Sequence, residues 1–327
     1  LSSKEGLILL SGTTSVTAFA SLAIYDAQTL SLTADIAGSF TLEVLKGTLM
    51  AMDERLMAVR PHPDQINTAA NIRAILKDSP MLERYRGHRV QDALSIRCMP
   101  QLHGPVKKAI KDAQATLAIE LNSSVDNPLI FDEEDGGAVA LMGCNADGTY
   151  AGMASDNLCI AITDLCKMSN SRIDRLLNSL VSELPAFLNK NADFNNGLMM
   201  IQYASAGLQG ELRILAHPAV VDNLTTCANQ EDYVNMGYNA AKKAYDSMHL
   251  AKYILAAELI CDGQALDCYD DKRCAKGTQA IYDLLRSKVP EMDNDMPLTP
   301  YLEVVAQQII DRAYIRTVEA SVGALKF

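Results

Sequence analysis

Residues His217–Met248 read HPAVVDNLTTCANQEDYVNMGYNAAKKAYDSM, and this stretch decides how the rest of the chain is interpreted. Its first half is a polar segment that reaches Asn229-Gln230-Glu231-Asp232, and its second half has the composition of a long helix. A helix N-terminus carries unsatisfied N–H groups and a positive dipole end, so it suits carboxylates and other anions. The stretch therefore predicts either a heavily capped helix with only a structural role or a functional site near a helix start.

A second polar string, Arg89–Cys98, reads RVQDALSIRC and lies in an otherwise apolar part of the chain. Polar residues between apolar helices must lie on the surface or have every polar group satisfied. The residues over 78–104 are accordingly expected to be irregular. This second string is what favours a functional interpretation of the first.

The composition favours close-packed helices. The chain has 327 residues, of which 49% are hydrophobic and only 6% aromatic, with no Trp. Residues 13–49 carry very little charge, and a helix that is apolar on all sides is buried in the core of a large protein. Asp26, Asp35 and Glu43 are the exceptions in this segment, and we expect them to face water or a site.

Apolar periodicity and turn residues predict the remaining elements. A short strand is expected over 129–131, loops over 138–148 and 189–200, and Pro105 in the first turn of its helix. We find no internal repeat or linker, so the sequence predicts an all-α fold with one helical-bundle domain over residues 1–327. The further helices are predicted over 50–60, 64–77, 105–121, 149–181, 203–216, 233–262, 276–288 and 299–322.

Charge and cysteine usage exclude several classes of partner. The net charge is −11 and the acidic excess is dispersed, which argues against binding to nucleic acid or to an anionic membrane. The eight Cys form no C-x-x-C pair and are expected to be buried thiols of a reducing compartment, so a cytoplasmic protein is predicted. Neither a membrane span nor a signal peptide is apparent. The first residue is Leu1, so the chain is expected to be part of something longer.

The chemistry of several common sites is absent from the sequence. Its five His are dispersed and no H-E-x-x-H occurs, so no metal site is predicted. There is no phosphate-binding glycine loop and no G-x-S-x-G nucleophile motif. Ser11-Gly12-Thr13 is interpreted as a helix start, because Ser and Thr accept hydrogen bonds from first-turn amides.

Several strings resemble, in the right order, those of the ammonia-lyases and aminomutases that act on aromatic amino acids, and in particular the histidine ammonia-lyase type. The resemblance covers essentially the whole chain, and the Gln230-Glu231 pair is the version typical of the histidine enzymes. The strings that carry it are Lys4–Thr13, Gln91–Cys98, Asn122–Phe131, Gly143–Gly148, Phe187–Gly197 and His217–Gly237.

The resemblance implies a long-helix bundle of the aromatic amino acid lyase or fumarase-like type, assembled as a homotetramer. It implies a methylidene-imidazolone (MIO) electrophile made from an Ala-Ser-Gly tripeptide, and elimination of ammonia from an L-amino acid. Arg97 would hold the substrate carboxylate, and Gln91 and Asn145 would orient the substrate or the prosthetic group. Glu231, with Gln230 beside it, would bind an imidazole or amine or move a proton.

The chain departs from the family pattern at several of these positions. Ala-Ser-Gly occurs nowhere in it, and in the family this tripeptide lies upstream of the string that starts at Lys4. The MIO group is therefore expected from an upstream segment. Ser11 replaces a family Asn, Leu94 a Tyr and Ala146 a Phe, which predicts a wider, less aromatic pocket.

Four functions remain open from the sequence. The first is an amino acid ammonia-lyase, and the second is an aminomutase of the same family. The third is a non-catalytic family member that acts as an assembly subunit, which the residues Ser11, Leu94 and Ala146 motivate. The fourth is an unrelated fumarase-like helical lyase, although its signature G-S-S-x-M-P-x-K-x-N is not found.

Overall fold

The computed structural model of the protein describes residues 1–191 and 194–327. In these ranges the backbone is mainly helical, which confirms the all-α prediction. The predicted loop over 189–200 includes residues 192 and 193, which lie outside the described residues. The helices are α1 Glu5–Ile8, α2 Thr14–Val44, α3 Glu54–Ala58, α4 Pro63–Ile75, α5 Pro80–Arg84, α6 Leu94–Arg97, α7 Met99–Glu120, α8 Thr149–Leu177, α9 Ser179–Ser182, α10 Met199–Leu215, α11 Gly237–Asp267, α12 Lys276–Arg286, α13 Thr299–Ile310 and α14 Ala313–Val322.

A two-stranded antiparallel hairpin interrupts the helices. Strand β1, Leu129–Asp132, pairs with β2, Ala138–Leu141, and Leu129 lies opposite Leu141. The sequence predicted β1 but assigned β2 to a loop. The two strands can pair because Gly136 turns the chain with a φ of 84°, in the left-handed region that glycine tolerates. Three short 3₁₀ turns complete the described structure, at Leu49–Met52, Ala186–Leu188 and Cys227–Asn229.

The central part of α2 is buried on all sides, as its composition predicted. Every residue from Thr29 to Leu45 is buried. Asp35 and Glu43 were expected to face water or a site, and that expectation is wrong. Asp35 is fully buried with His103 and Lys107, and Glu43 accepts a hydrogen bond from the Ala275 N–H at 2.7 Å. Buried carboxylates persist where such partners satisfy them.

Helix α2 ends earlier than predicted. Lys46 adopts a left-handed φ of 58°, and the Gly47 N–H donates to the Leu42 carbonyl at 2.9 Å. This arrangement satisfies a carbonyl of the last turn and ends the helix at Val44. The continuous helix expected over 50–60 is replaced by the turn Leu49–Met52 and the short helix α3.

Two further helices differ from their predicted bounds. Helix α7 starts at Met99, so Pro105 lies inside it rather than in its first turn. Beside Pro105, Gly104 packs closely on α4, since a Cβ there would lie 2.7 Å from the Gln65 nitrogen. The segment predicted as one helix over 299–322 breaks at Arg312, whose φ is 57°, into α13 and α14.

The described chain divides into two compact units. The first unit comprises Leu1–Tyr25, Ala109–Ile160 and Leu215–Ser247, and the second comprises Asp26–Lys108, Ala161–Ile214 and Met248–Phe327. The five unit boundaries fall within the sequences of α2, α7, α8, α10 and α11, so neither unit is a continuous piece of chain. The prediction of one domain over residues 1–327 stays a prediction.

Each unit has its own apolar core. In the first unit, Phe19 packs against Tyr238 and Tyr245 with ring centroids 5.7 and 5.6 Å apart. In the second unit, the largest fully buried apolar side chains are Phe40, Leu30, Ile36, Leu42, Leu45, Met52, Met57, Ile72, Ile75 and Tyr314.

The eight cysteines are all free thiols, and the sequence predicted that they would be buried. Cys159, Cys166 and Cys261 are buried, as predicted. Cys144 and Cys227, however, are exposed. The prediction is wrong for these two residues because they lie in polar loops rather than on the apolar faces of helices.

Candidate active site

Gln91 and Arg97 are hydrogen-bonded to each other in the second unit. Arg97 Nη1 donates to Gln91 Oε1 at 2.8 Å. The pair forms because the chain turns at Ala93, which has extended backbone angles, into the single-turn helix α6. Arg97 Nε is buried and makes no hydrogen bond within the described residues. A guanidinium held from one side in this way keeps donors for a planar anion such as a carboxylate.

Asp92, next to Gln91, ties this segment to the end of α2. Its Oδ2 accepts the Thr48 N–H at 2.8 Å, and only 4% of the residue is exposed. Burial raises the pKa of Asp92, whereas the Thr48 N–H and the guanidinium groups of Arg89, Arg175 and Arg97 oppose that rise. Asp92 therefore fixes the segment that carries Gln91. Its carboxyl group also offsets part of the positive charge of the nearby Arg side chains.

Glu183 anchors the same loop from the other side. Its carboxylate accepts hydrogen bonds from Lys46 Nζ at 2.8 Å, His88 Nε2 at 3.0 Å and Arg89 Nη2 at 3.0 Å. These hydrogen bonds lower the pKa of Glu183 to about 2. Glu183 itself has a left-handed φ of 59° at the end of α9. The sequence analysis missed Glu183, because only the fold brings it close to residues about ninety positions earlier.

Leu94 begins α6 and is 61% exposed. It lies three residues before Arg97, at the position where the sequence resemblance implies a Tyr. A leucine cannot donate a hydrogen bond, so this position offers an apolar surface only. Leu94, Gln91 and Arg97 form the group of predicted site residues that lies in the second unit.

In the first unit, two long helices begin side by side. Asp147 Oδ1 accepts the Thr149 N–H at 2.9 Å and caps α8, while Asn235 Oδ1 accepts the Gly237 N–H at 2.8 Å and caps α11. The two caps are joined, since Asn235 Nδ2 donates to Asp147 Oδ2 at 2.9 Å. Glycine is required at this approach, because a Cβ on Gly237 would lie 2.8 Å from the Gly148 carbonyl oxygen.

Three predicted site residues lie close to these helix starts along the chain. Asn145 and Ala146 precede the α8 cap in the loop after β2; Asn145 is exposed and Ala146 is half-buried. Ser11 is half-buried after α1 and donates its N–H to the Leu7 carbonyl at 2.8 Å. The following Thr13 lies beside Gly148, at which a Cβ would be 3.9 Å from Thr13 Cγ2. The strings that contain Ser11 and Asn145 are therefore neighbours. Helix α2 starts at Thr14, which confirms the prediction that residues 11–13 precede a helix.

Gln230 and Glu231 lie in an exposed turn before α11. Glu231 was predicted near a helix N-terminus, and this is wrong because α11 begins only at Gly237. Instead, the backbones of Thr226 and Glu231 form an isolated antiparallel bridge around the turn Cys227–Asn229. The Thr226 hydroxyl donates to Glu231 Oε2 at 2.6 Å.

The described residues contain no group of three or more His, Cys, Asp or Glu side chains that could hold a metal ion. Among the helices in the same ranges, none combines the length and the apolar character needed to cross a membrane.

Sequence comparison identifies the family of this chain. The family model described as aromatic amino acid lyase matches residues 1–287. The chain belongs to the aromatic amino acid lyase family. The predicted resemblance is thereby confirmed, and the unrelated fumarase-like alternative is set aside.

Curated relatives match the chain along its length. The chain is 41% identical over 327 residues to histidine ammonia-lyase 2 from Fusobacterium nucleatum, and 42% identical over 325 residues to histidine ammonia-lyase from Alkaliphilus metalliredigens. These matches cover 100% and 99% of this chain and 64% of each relative. The chain therefore spans 64% of the length of the curated relatives it matches.

Solved structures share the helical fold. Histidine ammonia-lyase from Trypanosoma cruzi superposes with a TM-score of 0.89 at 34% identity, covering 98% of this chain and 61% of that one. Tyrosine aminomutase from Streptomyces globisporus superposes with a TM-score of 0.92 at 28% identity, covering 100% and 66%. Both a lyase and an aminomutase thus have this architecture.

Proposed function

We propose that this protein is an amino acid ammonia-lyase, which eliminates ammonia non-oxidatively from an L-amino acid and leaves an α,β-unsaturated acid. The observation that carries the proposal is the 41% identity to a histidine ammonia-lyase across all 327 residues. That match covers both polar strings, which contain Gln91, Arg97, Gln230 and Glu231.

Arg97 is proposed to bind the substrate carboxylate. Gln91 accepts from Nη1 at 2.8 Å and so orients the planar guanidinium, while the remaining N–H groups can form a two-point contact with a carboxylate. Burial raises the pKa of Asp92, so this carboxyl group offsets only part of the positive charge of Arg89, Arg97 and Arg175. The positive charge that remains favours an anionic ligand.

Glu231 is proposed to bind the substrate amine or imidazole or to move a proton, with Gln230 beside it. Hydrogen bonds from Thr226 and Cys227 lower the pKa of Glu231, so the group is an anion at neutral pH. An anionic carboxylate can accept a proton from carbon or nitrogen, or pair with a protonated side chain.

The other predicted residues are proposed to shape the pocket. Ser11 offers a hydroxyl group and Asn145 an amide, and both can hydrogen-bond to substrate or prosthetic group. Leu94 and Ala146 lack the aromatic rings that the family resemblance implies at these positions. We therefore propose a wider and less aromatic pocket than in the histidine enzymes.

The cofactor is proposed to be MIO, contributed by sequence outside these 327 residues. The Ala-Ser-Gly tripeptide is absent from this chain, so no residue here forms the group. The residue whose chemistry fits it is Asn145, whose exposed amide can both donate and accept. When present, the group supplies the electrophile for the substrate amine. Arg97 binds the substrate carboxylate, and Glu231 binds the amine or imidazole or moves a proton.

Assembly and location are also proposals. We propose a homotetramer in the cytoplasm that acts on a free small-molecule amino acid. Sedimentation velocity of the purified protein tests the assembly, since a particle of monomer mass at micromolar concentration would rule out the tetramer.

Two alternative functions are each favoured by a specific observation. The likeness to tyrosine aminomutase, with a TM-score of 0.92, favours an aminomutase in which the amine migrates rather than leaves. The replacements at Ser11, Leu94 and Ala146 favour a non-catalytic assembly subunit. A non-catalytic subunit would bind a partner of the same family but would not turn over substrate.

The test is a turnover assay of the natural full-length protein with histidine, tyrosine, phenylalanine and several non-aromatic amino acids. Released ammonia and an absorbing unsaturated acid support the lyase, whereas a β-amino acid without free ammonia supports the aminomutase. Arg97→Met should abolish turnover, while Lys108→Met, an exposed neighbouring helix position, should not. Absence of turnover with every amino acid would reject both enzymes.

A further inference from the structure

The carboxylate of Glu231 is held at the closing end of a tight turn. The Thr226 N–H donates to the Glu231 carbonyl at 2.8 Å, so the two residues pair as the ends of a small loop. Their side chains also meet, because the Thr226 hydroxyl donates to Glu231 Oε2 at 2.6 Å. Backbone and side chain therefore fix the same two residues to each other.

The backbone inside this turn adopts an unusual conformation. Cys227, Ala228 and Asn229 have φ values of 47°, 51° and 71°, all in the left-handed region, and none is a glycine. Residues with a Cβ rarely adopt this region, and runs of them persist only where the surrounding structure favours them. Such backbone strain clusters at functional sites.

We propose that Thr226 and Cys227 are positioning residues for Glu231, which hold its carboxylate in one orientation for the reaction. The inference rests on the proposed function, in which Glu231 contacts the substrate. It adds a reason for the strained turn, which closes with the Thr226 hydroxyl on the Glu231 carboxylate.

The electrostatics of the turn agree with this role. A carboxylate that accepts hydrogen bonds is stabilised in its charged form. Two hydrogen bonds lower the pKa of Glu231, and the one from the Thr226 hydroxyl has a larger effect than the one from the Cys227 thiol. Desolvation opposes them. In the part of the chain that the structure describes, no charged side chain contributes to this shift. The lowering of the Glu231 pKa therefore comes from these two neighbours.

The decisive substitution is Thr226→Val, with Thr226→Ser as its matched control. Valine keeps the β-branched shape that suits the extended backbone of Thr226, whose φ is −128° and ψ is −179°, but it cannot donate. Serine keeps the hydroxyl group. Cys227→Ala removes the thiol, and thermal unfolding shows that each variant is folded.

Two measurements are made on the natural full-length protein. The first is the ¹³C-NMR titration of the Glu231 carboxyl carbon, assigned by its loss in Glu231→Gln. The second is the pH profile of kcat/KM for whichever amino acid is turned over. In Thr226→Val the Glu231 pKa and the acidic limb of the profile should both move to higher pH. At neutral pH kcat/KM should fall on the order of tenfold, because the carboxylate loses the hydrogen bond that fixes its orientation.

Thr226→Ser should follow the wild type in both measurements, and Cys227→Ala should show a smaller shift in the same direction. The inference is overturned if Thr226→Val titrates like the wild type, or if Thr226→Ser shifts equally. The carboxyl titration does not require turnover, so it decides the inference even if no amino acid is a substrate and the proposed function fails.

Discussion

Gln91 accepts a hydrogen bond from Arg97 Nη1 at 2.8 Å, and this contact links the first and last predicted site residues of the second polar string. Asp92 lies between them in the sequence and fixes this segment by accepting a hydrogen bond from the Thr48 N–H. The guanidinium is thus oriented by an uncharged partner rather than by an ion pair. An uncharged partner leaves the full positive charge available to an anionic ligand.

We expect Arg97→Lys to raise KM and to lower kcat/KM on the order of 10- to 100-fold, because an ammonium cannot reproduce the two-point contact of a guanidinium. Gln91→Ala should have a smaller effect, on the order of tenfold, because Arg97 keeps its charge but loses its orientation. Steady-state kinetics measures both effects, with the amino acid that is turned over best in the assay described above. A lysine variant with the wild-type KM would contradict the assignment of Arg97 to the carboxylate.

Glu183 is expected to control the order of the loop that carries Gln91. Glu183→Gln weakens the contacts with Lys46, His88 and Arg89, so hydrogen exchange over residues 85–92 should become faster. KM should rise on the order of fivefold, because these exposed contacts are individually weak. Glu134→Gln, an exposed glutamate of the hairpin turn, is the control and should change neither quantity. Unchanged exchange in Glu183→Gln would show that the order of the loop does not depend on Glu183.

The sequence predicted the helices well where periodicity and apolar composition were strong, as in α2. It predicted their ends poorly, because these depend on local backbone geometry. The left-handed Lys46 ends α2, and the left-handed Arg312 separates α13 from α14. Neither is a glycine or proline, so neither residue carries a strong termination signal.

The candidate site was found through strings of neighbouring residues, and the contacts between distant residues were missed. Gln91 and Arg97 lie six residues apart and could be grouped from the sequence. The contact of Asp147 with Asn235, and those of Glu183 with the loop, join residues that only the fold brings together. Glu231 was predicted to be a site residue, but its turn was not predicted, because no sequence signal marks three successive left-handed residues without glycine.

Asp35 is expected to make the second unit sensitive to acid. It is fully buried, with His103 Nδ1 at 2.8 Å and Lys107 Nζ at 2.6 Å. Burial favours the neutral form, but Lys107 and His103 outweigh it and hold the pKa of Asp35 below its usual value. A carboxyl group with a lowered pKa contributes stability above its unfolded pKa, and this contribution is lost as the pH falls through the folded pKa.

Lys107→Met should therefore destabilise the protein by about 3–5 kcal/mol at pH 7, because it leaves the Asp35 carboxylate buried with too few partners. The difference from the wild type should shrink as the pH falls and Asp35 becomes protonated in both proteins. Urea unfolding at several pH values measures this. Lys108→Met, at the adjacent exposed position, should stay within about 0.5 kcal/mol of the wild type. Equal destabilisation at pH 7 and pH 4 would contradict a role for the Asp35 charge.

A buried cluster in the second unit contains two carboxyl groups and one guanidinium. Arg172 Nη2 donates to Glu258 Oε2 at 2.9 Å, while the Thr41 hydroxyl lies 2.9 Å from Glu258 Oε1 and 2.7 Å from Asp262 Oδ1. Burial, together with the charge of Glu258, raises the pKa of Asp262 well above its usual value. The cluster therefore holds one ion pair, Arg172 with Glu258, and one neutral carboxyl group.

The two carboxyl groups should respond oppositely to amide substitution. Glu258→Gln should cost about 3–5 kcal/mol, because it leaves the Arg172 guanidinium buried without its anion. Asp262→Asn should change the free energy of unfolding by less than about 1 kcal/mol at pH 4, because an amide replaces a carboxyl group that is already neutral. Since the raised pKa makes the wild type lose stability as the pH rises above the unfolded pKa, Asp262→Asn should become the more stable protein toward pH 8. Denaturant unfolding between pH 4 and pH 8 tests which carboxyl group is charged. If Asp262→Asn instead loses stability relative to the wild type as the pH rises, the charge lies on Asp262 and not on Glu258.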